Sequence, residues 1–202
     1  MKFIIVENYD ELSRLAGEMI VTKVKNSPNI ILGLATGGTP EGTYKFMIED
    51  HKHNGTTYQN VTTFNLDEYI GLSGDHPNSY RRFMDEHLLN HIDIRKERTF
   101  IPRGDANDLE KECERYEKLI AEAGGIDLQL LGIGRNGHIG FNEPGTSFQS
   151  KTHIVDLTES TRQANSIYFD RIEDVPTKAI TMGIDTIMNS REILLLVSGD
   201  SK

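Results

Sequence analysis

The chain has 202 residues, room for one substantial α/β domain with an extended apolar core and too few for a large multidomain machine. Its 22 Lys and Arg stand against 31 Asp and Glu, and the net charge of −9 is spread along the chain. This excludes a nucleic-acid groove but leaves room for a local pocket that binds one small anion.

The single cysteine, Cys113, excludes a disulfide scaffold and points to a reducing compartment, where it reads as inert. The longest aliphatic run, Ile193 to Val197, falls far short of the roughly 20 residues that span a bilayer. Glu7 interrupts the opening MKFIIVEN before a signal-peptide core forms. The expectation is a soluble cytoplasmic protein with no membrane partner.

In chain order, Lys2 to Val6 reads as a strand and Tyr9 to Val24 as a helix, with Leu12, Leu15, Ala16, Met19, Ile20 and Val24 at helical spacing. Ile30 to Ala35 is an almost unbroken apolar strand. Thr36-Gly37-Gly38-Thr39-Pro40 then turns the chain into a helix reaching about His51, with Thr39 as N-cap and Pro40 as first helical residue. The strand Val61 to Asn65 feeds Asp67-Glu68-Tyr69 and the turn-rich GLSGDHPNS, followed by a helix from Tyr80 to Leu89. After a short extended piece within Phe100 to Asn107, Asp108 caps a helix to about Ala123 that Gly124-Gly125 ends.

Ile126 to Ile133 is the next apolar strand, running into the glycine-rich stretch Gly132 to Gly140. Thr152 to Leu157 reads as strand and Thr158 to Tyr168 as helix. Ala179 to Met182, Ile184 to Met188 and Glu192 to Ser198 follow as strand, short helix and strand. No repeat or long linker divides the chain, so residues 1–202 form a single catalytic domain. Strands separated by helices imply a mostly parallel sheet covered on both faces, with ligands held in the loops at the strands' carboxyl ends.

Three such exits carry chemistry. TGGTP offers flexible backbone, two hydroxyls and a helix N-terminus able to bind a phosphate, without the lysine of a nucleotide-hydrolysing loop. DEY offers two adjacent carboxylates that point opposite ways in extended chain, so one of Asp67 and Glu68 at most faces a pocket and could abstract a carbon-bound proton. GIGRNGHIGFNEP places His138 and Glu143 in one loop as an acid/base pair, with Asn136 or Glu143 fixing the tautomer. His138, Glu143, Asp67 and His153 lack the tight spacing of a metal site.

Together, LGLATGGTPEGTY, TFNLDEYIGL, HPNSY and LLGIGRNGHIGFNEPGTSF resemble the glucosamine-6-phosphate deaminase family along essentially the whole chain. The resemblance implies a three-layer αβα Rossmann-like fold, deaminase/phosphogluconolactonase-like, on a mostly parallel sheet. It implies conversion of a small phosphorylated amino sugar, glucosamine 6-phosphate, and water to fructose 6-phosphate and ammonium, with no cofactor and no metal. By the same resemblance Asp67 moves a proton from C2 to C1 and His138 promotes ring opening. Glu143 pairs with the histidine, and Asn136 orients it with a neutral amide where some members have aspartate. Thr36, Gly37, Gly38 and Thr39 bind the phosphate, joined by Lys202 of SGDSK.

Where the family usually reads NSRFF or NARYF and uses the arginine on phosphate, this chain reads Asn165-Ser166-Ile167-Tyr168-Phe169. Three readings are open, weaker phosphate affinity, compensation by Arg162 or a shift in substrate, and the first is favoured. His153 and Val155 replace a basic cluster that serves an allosteric phosphate effector in some members, so no such activation is expected, and the assembly is left open between monomer and homo-oligomer. Relatives continue past the equivalent of Lys202, so the chain is expected to lack their C-terminal segment. The rivals are a 6-phosphogluconolactonase-like hydrolase, disfavoured by FNEP at 141–144, and a non-catalytic sugar-phosphate sensor.

Overall fold

In the computed structural model, which describes residues 1–199, the alternation of apolar strands and amphipathic helices resolves into two sheets of opposite character. The elements are α1 (Tyr9–Asn26), β1 (Ile31–Leu34), α2 (Gly38–Asn54), β2 (Thr62–Asn65), β3 (Asp67–Tyr69), α3 (Tyr80–His87) and β4 (Thr99–Phe100). They continue with α4 (Leu109–Ala123), β5 (Leu128–Leu131), β6 (His153–Asp156), α5 (Glu159–Asn165), β7 (Lys178–Thr181), α6 (Ile184–Met188) and β8 (Glu192–Leu195).

The main sheet runs β4-β2-β1-β5-β8 and every pairing in it is parallel. Its three inner strands, β1, β2 and β5, are short and fully buried because helices cover both faces, while the edge strand β8 is largely exposed. On one face Leu32, Leu34, Leu128, Leu130 and Leu196 pack with Ile20 and Val24 of α1, Tyr44 and Met47 of α2, and Met84 of α3. On the other, Ile31, Phe64 and Leu131 pack with Tyr116 and Ile120 of α4 and Ile187 of α6. This is the expected three-layer αβα arrangement. No described helix is long and apolar enough to cross a membrane.

Helix boundaries follow local chemistry where a side chain caps. Asn8 accepts the Glu11 amide to start α1, and Asp108 accepts the Lys111 amide to start α4, which Gly124 ends in the left-handed conformation at φ 95°. Two expectations are corrected. Residues 2–6 are not a strand: Met1, Phe3 and Ile5 are exposed, and no described strand supplies the ladder that β-rich composition needs. The N-cap of α2 is Gly37, not Thr39, because φ 97° there starts the helix two residues early without a side-chain cap.

The second sheet, β3-β7-β6, is antiparallel and small, and β3 pairs with β7 across more than a hundred residues of chain. Among the described residues, Leu66 joins it to the main sheet. Leu66, between β2 and β3, donates its N–H to Leu34 of β1 and accepts the Met182 N–H at the end of β7. Glu117 of α4 also holds the small sheet, accepting from the Thr152 backbone and hydroxyl and from the Thr186 hydroxyl of α6.

Candidate active site

Asp67 opens β3, opposite Thr181 of β7, and is 6% exposed. The chain alternation settles which neighbouring carboxylate faces the glycine-rich loop. The Asp67 Oδ2 lies under Gly140, 3.3 Å from where a Cβ would stand, while Glu68 turns away to α3. Burial first and the nearby Glu68 charge second push the Asp67 carboxyl up to about 8. No hydrogen bond among the described residues ends on it to hold the charged form.

The loop over Asp67 is built by its glycines and by two buried partners. Gly140 adopts φ 58°, which no β-branched or bulky side chain tolerates well, and passes over Thr181 and Asp67. Thr181 Oγ1 accepts the Phe141 N–H, and Asn142, 3% exposed, donates to the carbonyls of Ile139 and Met182. Asn142 thus fastens the 138–143 segment to the end of β7. Its sequence signal was the amide next to Glu143, with nothing local to show its target.

His138 and Glu143 come together, but not directly. Asn136 stands between them: its Oδ1 accepts from His138 Nδ1 at 2.7 Å, and its Nδ2 donates to Glu143 Oε2 at 2.5 Å. With the amide so oriented, the neutral imidazole carries its proton on Nδ1 and Nε2 is its basic nitrogen. The other Glu143 oxygen accepts from the hydroxyls of Thr158, the N-cap of α5, and Thr161. The expected direct His138–Glu143 pair is therefore a relay through a neutral amide.

Gly134 has a different task from the close ligand approach that the glycine pattern suggests. A Cβ there would overlap the His138 ring, and the tight loop is closed by bonds from Gly134 N–H to the His138 carbonyl and from Gly137 N–H to the Gly134 carbonyl. Gly134→Ala is expected to displace the ring without unfolding the domain, since the obstacle is a side chain. Turnover should fall by about 10²-fold with the thermal midpoint nearly unchanged; equal turnover would refute the packing argument.

Across from Asp67 lies the 36–39 turn. A Cβ on Gly37 or Gly38 would meet nothing within 4 Å, so the start of α2 opens onto free space with unused backbone donors. Tyr9 of α1 braces it, its hydroxyl accepting from the Gly42 N–H and donating to the Gly38 carbonyl. Tyr80 of α3 connects the two halves. It interacts with Thr36, lies 4.7 Å ring to ring from Tyr69, and stacks on Phe141 at 6.1 Å. Tyr80 was not singled out by sequence, although HPNSY was.

Arg162 is partly engaged: its Nη2 donates to the carbonyls of Ile172 and Val175, while its Nε has no partner among the described residues. Ile167 is 78% exposed on the single turn Ser166–Tyr168, and the charge that acts on the neighbouring Tyr168 is Glu41 in the first turn of α2. Phe169 packs edge-on against Tyr69 at 5.8 Å. Lys202 lies outside the described residues.

Among the described residues no three His, Cys, Asp or Glu side chains cluster as metal ligands, so His153 is not gathered with Asp67, His138 and Glu143. Cys113 is buried in α4, and burial pushes its thiol up to about 11. A separate cleft of about 210 Å³ beside α3 holds Arg81 and Lys96, but its arginine is already engaged by Asp85 and Thr99.

The family of glucosamine-6-phosphate isomerases/6-phosphogluconolactonase matches residues 7–202. A glucosamine-6-phosphate deaminase of Geobacillus sp. is 62% identical over all 202 residues, which cover 80% of its length. A solved monomeric glucosamine-6-phosphate deaminase superposes with TM-score 0.98 at 57% identity, over 100% of this chain and 84% of that one. A 6-phosphogluconolactonase from Trypanosoma brucei shares the fold alone, with TM-score 0.76 at 21% identity over 98% of this chain and 82% of that one.

Proposed function

The chain belongs to the family of glucosamine-6-phosphate isomerases/6-phosphogluconolactonase, and within it we propose that it is an isomerising deaminase converting glucosamine 6-phosphate and water to fructose 6-phosphate and ammonium. The observation that carries the site is the Asp67 carboxyl buried directly under the loop of His138 and Glu143. A base pushed up to about 8 is matched to taking a proton from carbon near neutral pH, as an ordinary carboxylate is not.

The chemistry then divides among the residues. His138 moves a proton between the ring oxygen and the anomeric hydroxyl, opening the sugar to its aldehyde. Its ring is held by Asn136, and Asn136 by Glu143. Asp67 takes the C2 proton, giving the enolamine, and returns it to C1. The resulting C2 imine adds water and expels the nitrogen as ammonium. No electron leaves the substrate, so the reaction calls for no redox cofactor. The phosphate is held by Thr36, Gly37, Gly38 and Thr39 at the start of α2, with Lys202 as its cation. Such a substrate belongs to the cytoplasm, as does the buried, unpaired Cys113.

Incubation with glucosamine 6-phosphate, following fructose 6-phosphate and ammonium together, tests the reading. Equal amounts of both are expected, and binding without ammonium would leave a sensor. At 21% identity the lactonase likeness carries no activity to this chain.

Ile167, exposed where the 166–168 turn nears Glu41 of α2, supplies neither charge nor hydrogen bond to a phosphate. Ile167→Arg is expected to lower KM for glucosamine 6-phosphate by roughly tenfold with kcat little changed, the value of one charge-assisted contact. An unchanged KM would place the phosphate elsewhere.

A further inference from the structure

Glu68 is 2% exposed, yet the proton transfer described above does not use it. Its carboxylate accepts three backbone N–H groups at 2.9 Å: its neighbour Tyr69, and Tyr80 and Arg81, the first two residues of α3. Ser79 caps the same helix through Arg82, so Glu68 duplicates no existing cap but takes the amides that Ser79 leaves. A buried carboxylate with backbone partners at a helix start is stabilised by the dipole and by charge-assisted bonds, and it ties β3 to α3.

What α3 presents at that point is Tyr80, the ring between Thr36, Tyr69 and Phe141. Resting on the reading of Asp67 as the base, we propose that Glu68 is a positioning residue for that proton transfer. It holds the start of α3 so that Tyr80 closes the Asp67 side of the site, and its buried negative charge makes Asp67 hold the proton it takes.

The charge balance around Asp67 favours this assignment. Glu68, turned to α3, and Tyr69 act on it from its own strand, Tyr80 from α3 and Tyr116 from α4, while His138 and Glu143 belong to the loop above. Burial pushes all three tyrosines up, so they stay neutral through the working range. Glu68 itself, which also feels Asp105, is pushed up to about 7 by burial against its three backbone bonds, and its charge raises Asp67 in turn. It is therefore the negative neighbour that acts on Asp67.

Two variants separate charge from grip. Glu68→Gln keeps a carbonyl oxygen for α3 and removes the charge. Its acid limb in kcat/KM should move down by about one pH unit, with kcat lowered roughly tenfold. Glu68→Asp keeps the charge but falls one methylene short of α3. Its limb should stay within about 0.3 unit of the parent while kcat falls roughly tenfold.

The shift can also be read without turnover, by NMR titration of the Asp67 carboxyl carbon in the parent and in Glu68→Gln. An unmoved Asp67 titration in folded Glu68→Gln, or an undiminished kcat in Glu68→Asp, overturns the proposal. If Glu68→Gln does not fold, Glu68→Asp alone decides. A parent that releases no ammonium overturns the functional reading instead, and the NMR titration still tests the charge coupling.

Discussion

Asp67→Asn is expected to lower kcat by about 10²–10⁴-fold and at the same time to raise the thermal midpoint. The first effect follows from removing the proton acceptor under the Gly140 loop. The second follows from the direction of its titration. In the folded chain the carboxyl is pushed up to about 8 from 3.8, so between those values the native state holds a proton that the unfolded state has lost. That stability is fully present below the unfolded value and disappears as pH rises through the folded one.

Asparagine has no such slope. The gain in midpoint should therefore be small at pH 5 and largest above pH 8, at about 2–4 °C per kcal/mol for a domain of this size. Ammonium release and thermal melts across this pH range check both halves. Retained turnover would remove Asp67 from the mechanism, and a midpoint gain independent of pH would mean that its burial is relieved by water.

Gly104→Ala is expected to be the most disruptive small substitution near the site. Gly104 is buried, its carbonyl accepts the Gly71 N–H, and a Cβ on it would overlap the backbone carbonyl of Tyr69 with Glu68 Cγ at 3.4 Å. The overlapping atom cannot swing aside as a side chain can: it belongs to the backbone of β3, which already holds its antiparallel pairing with β7. Overpacking costs about 1–3 kcal/mol, and a backbone overlap belongs at the upper end, a midpoint loss of roughly 6–12 °C.

Because β3 is three residues long, moving Tyr69 also moves Asp67, so kcat should fall at least tenfold in the fraction that remains folded. Thermal denaturation with single-turnover kinetics tests this. An unchanged midpoint would show that the 101–108 loop yields instead of β3.

The two substitutions act on a part of the molecule that sequence exposes unevenly. Much of the parallel main sheet is readable because β1, β5 and β8 lie in largely apolar runs bounded by turn formers, and α4 because Asp108 and Gly124 mark its ends chemically. The small sheet is hidden. DEY carries no period long enough to count, and its partner is Ala179-Ile180-Thr181, more than a hundred residues away. Residues 2–6 fail for the converse reason, having strand composition with no described ladder to join.

In the site, chemistry-bearing residue types at the strand exits were legible, but their partners were not. Asp67 and Glu68 are indistinguishable as letters and are separated by which faces Gly140 and which faces α3. His138 and Glu143 are five apart in sequence, yet their link runs through Asn136, and the relay continues to Thr158 and Thr161 on α5. Arg162, chosen for its charge, turns one nitrogen to the carbonyls of Ile172 and Val175. In each case the missing information is the direction of a side chain across a tertiary contact, which neither spacing nor propensity encodes.

The single-residue joint at Leu66 has a consequence for how the molecule fluctuates. Its amide belongs to the ladder of the main sheet and its carbonyl to the end of the small one, so neither sheet can open at that point without breaking a bond of the other. For native-state fluctuations this makes the strand that carries Asp67 part of the same cooperative unit as the core, not of the loops around the pocket. The surface turns around the candidate site can then fluctuate while Asp67, the proposed base, keeps its address.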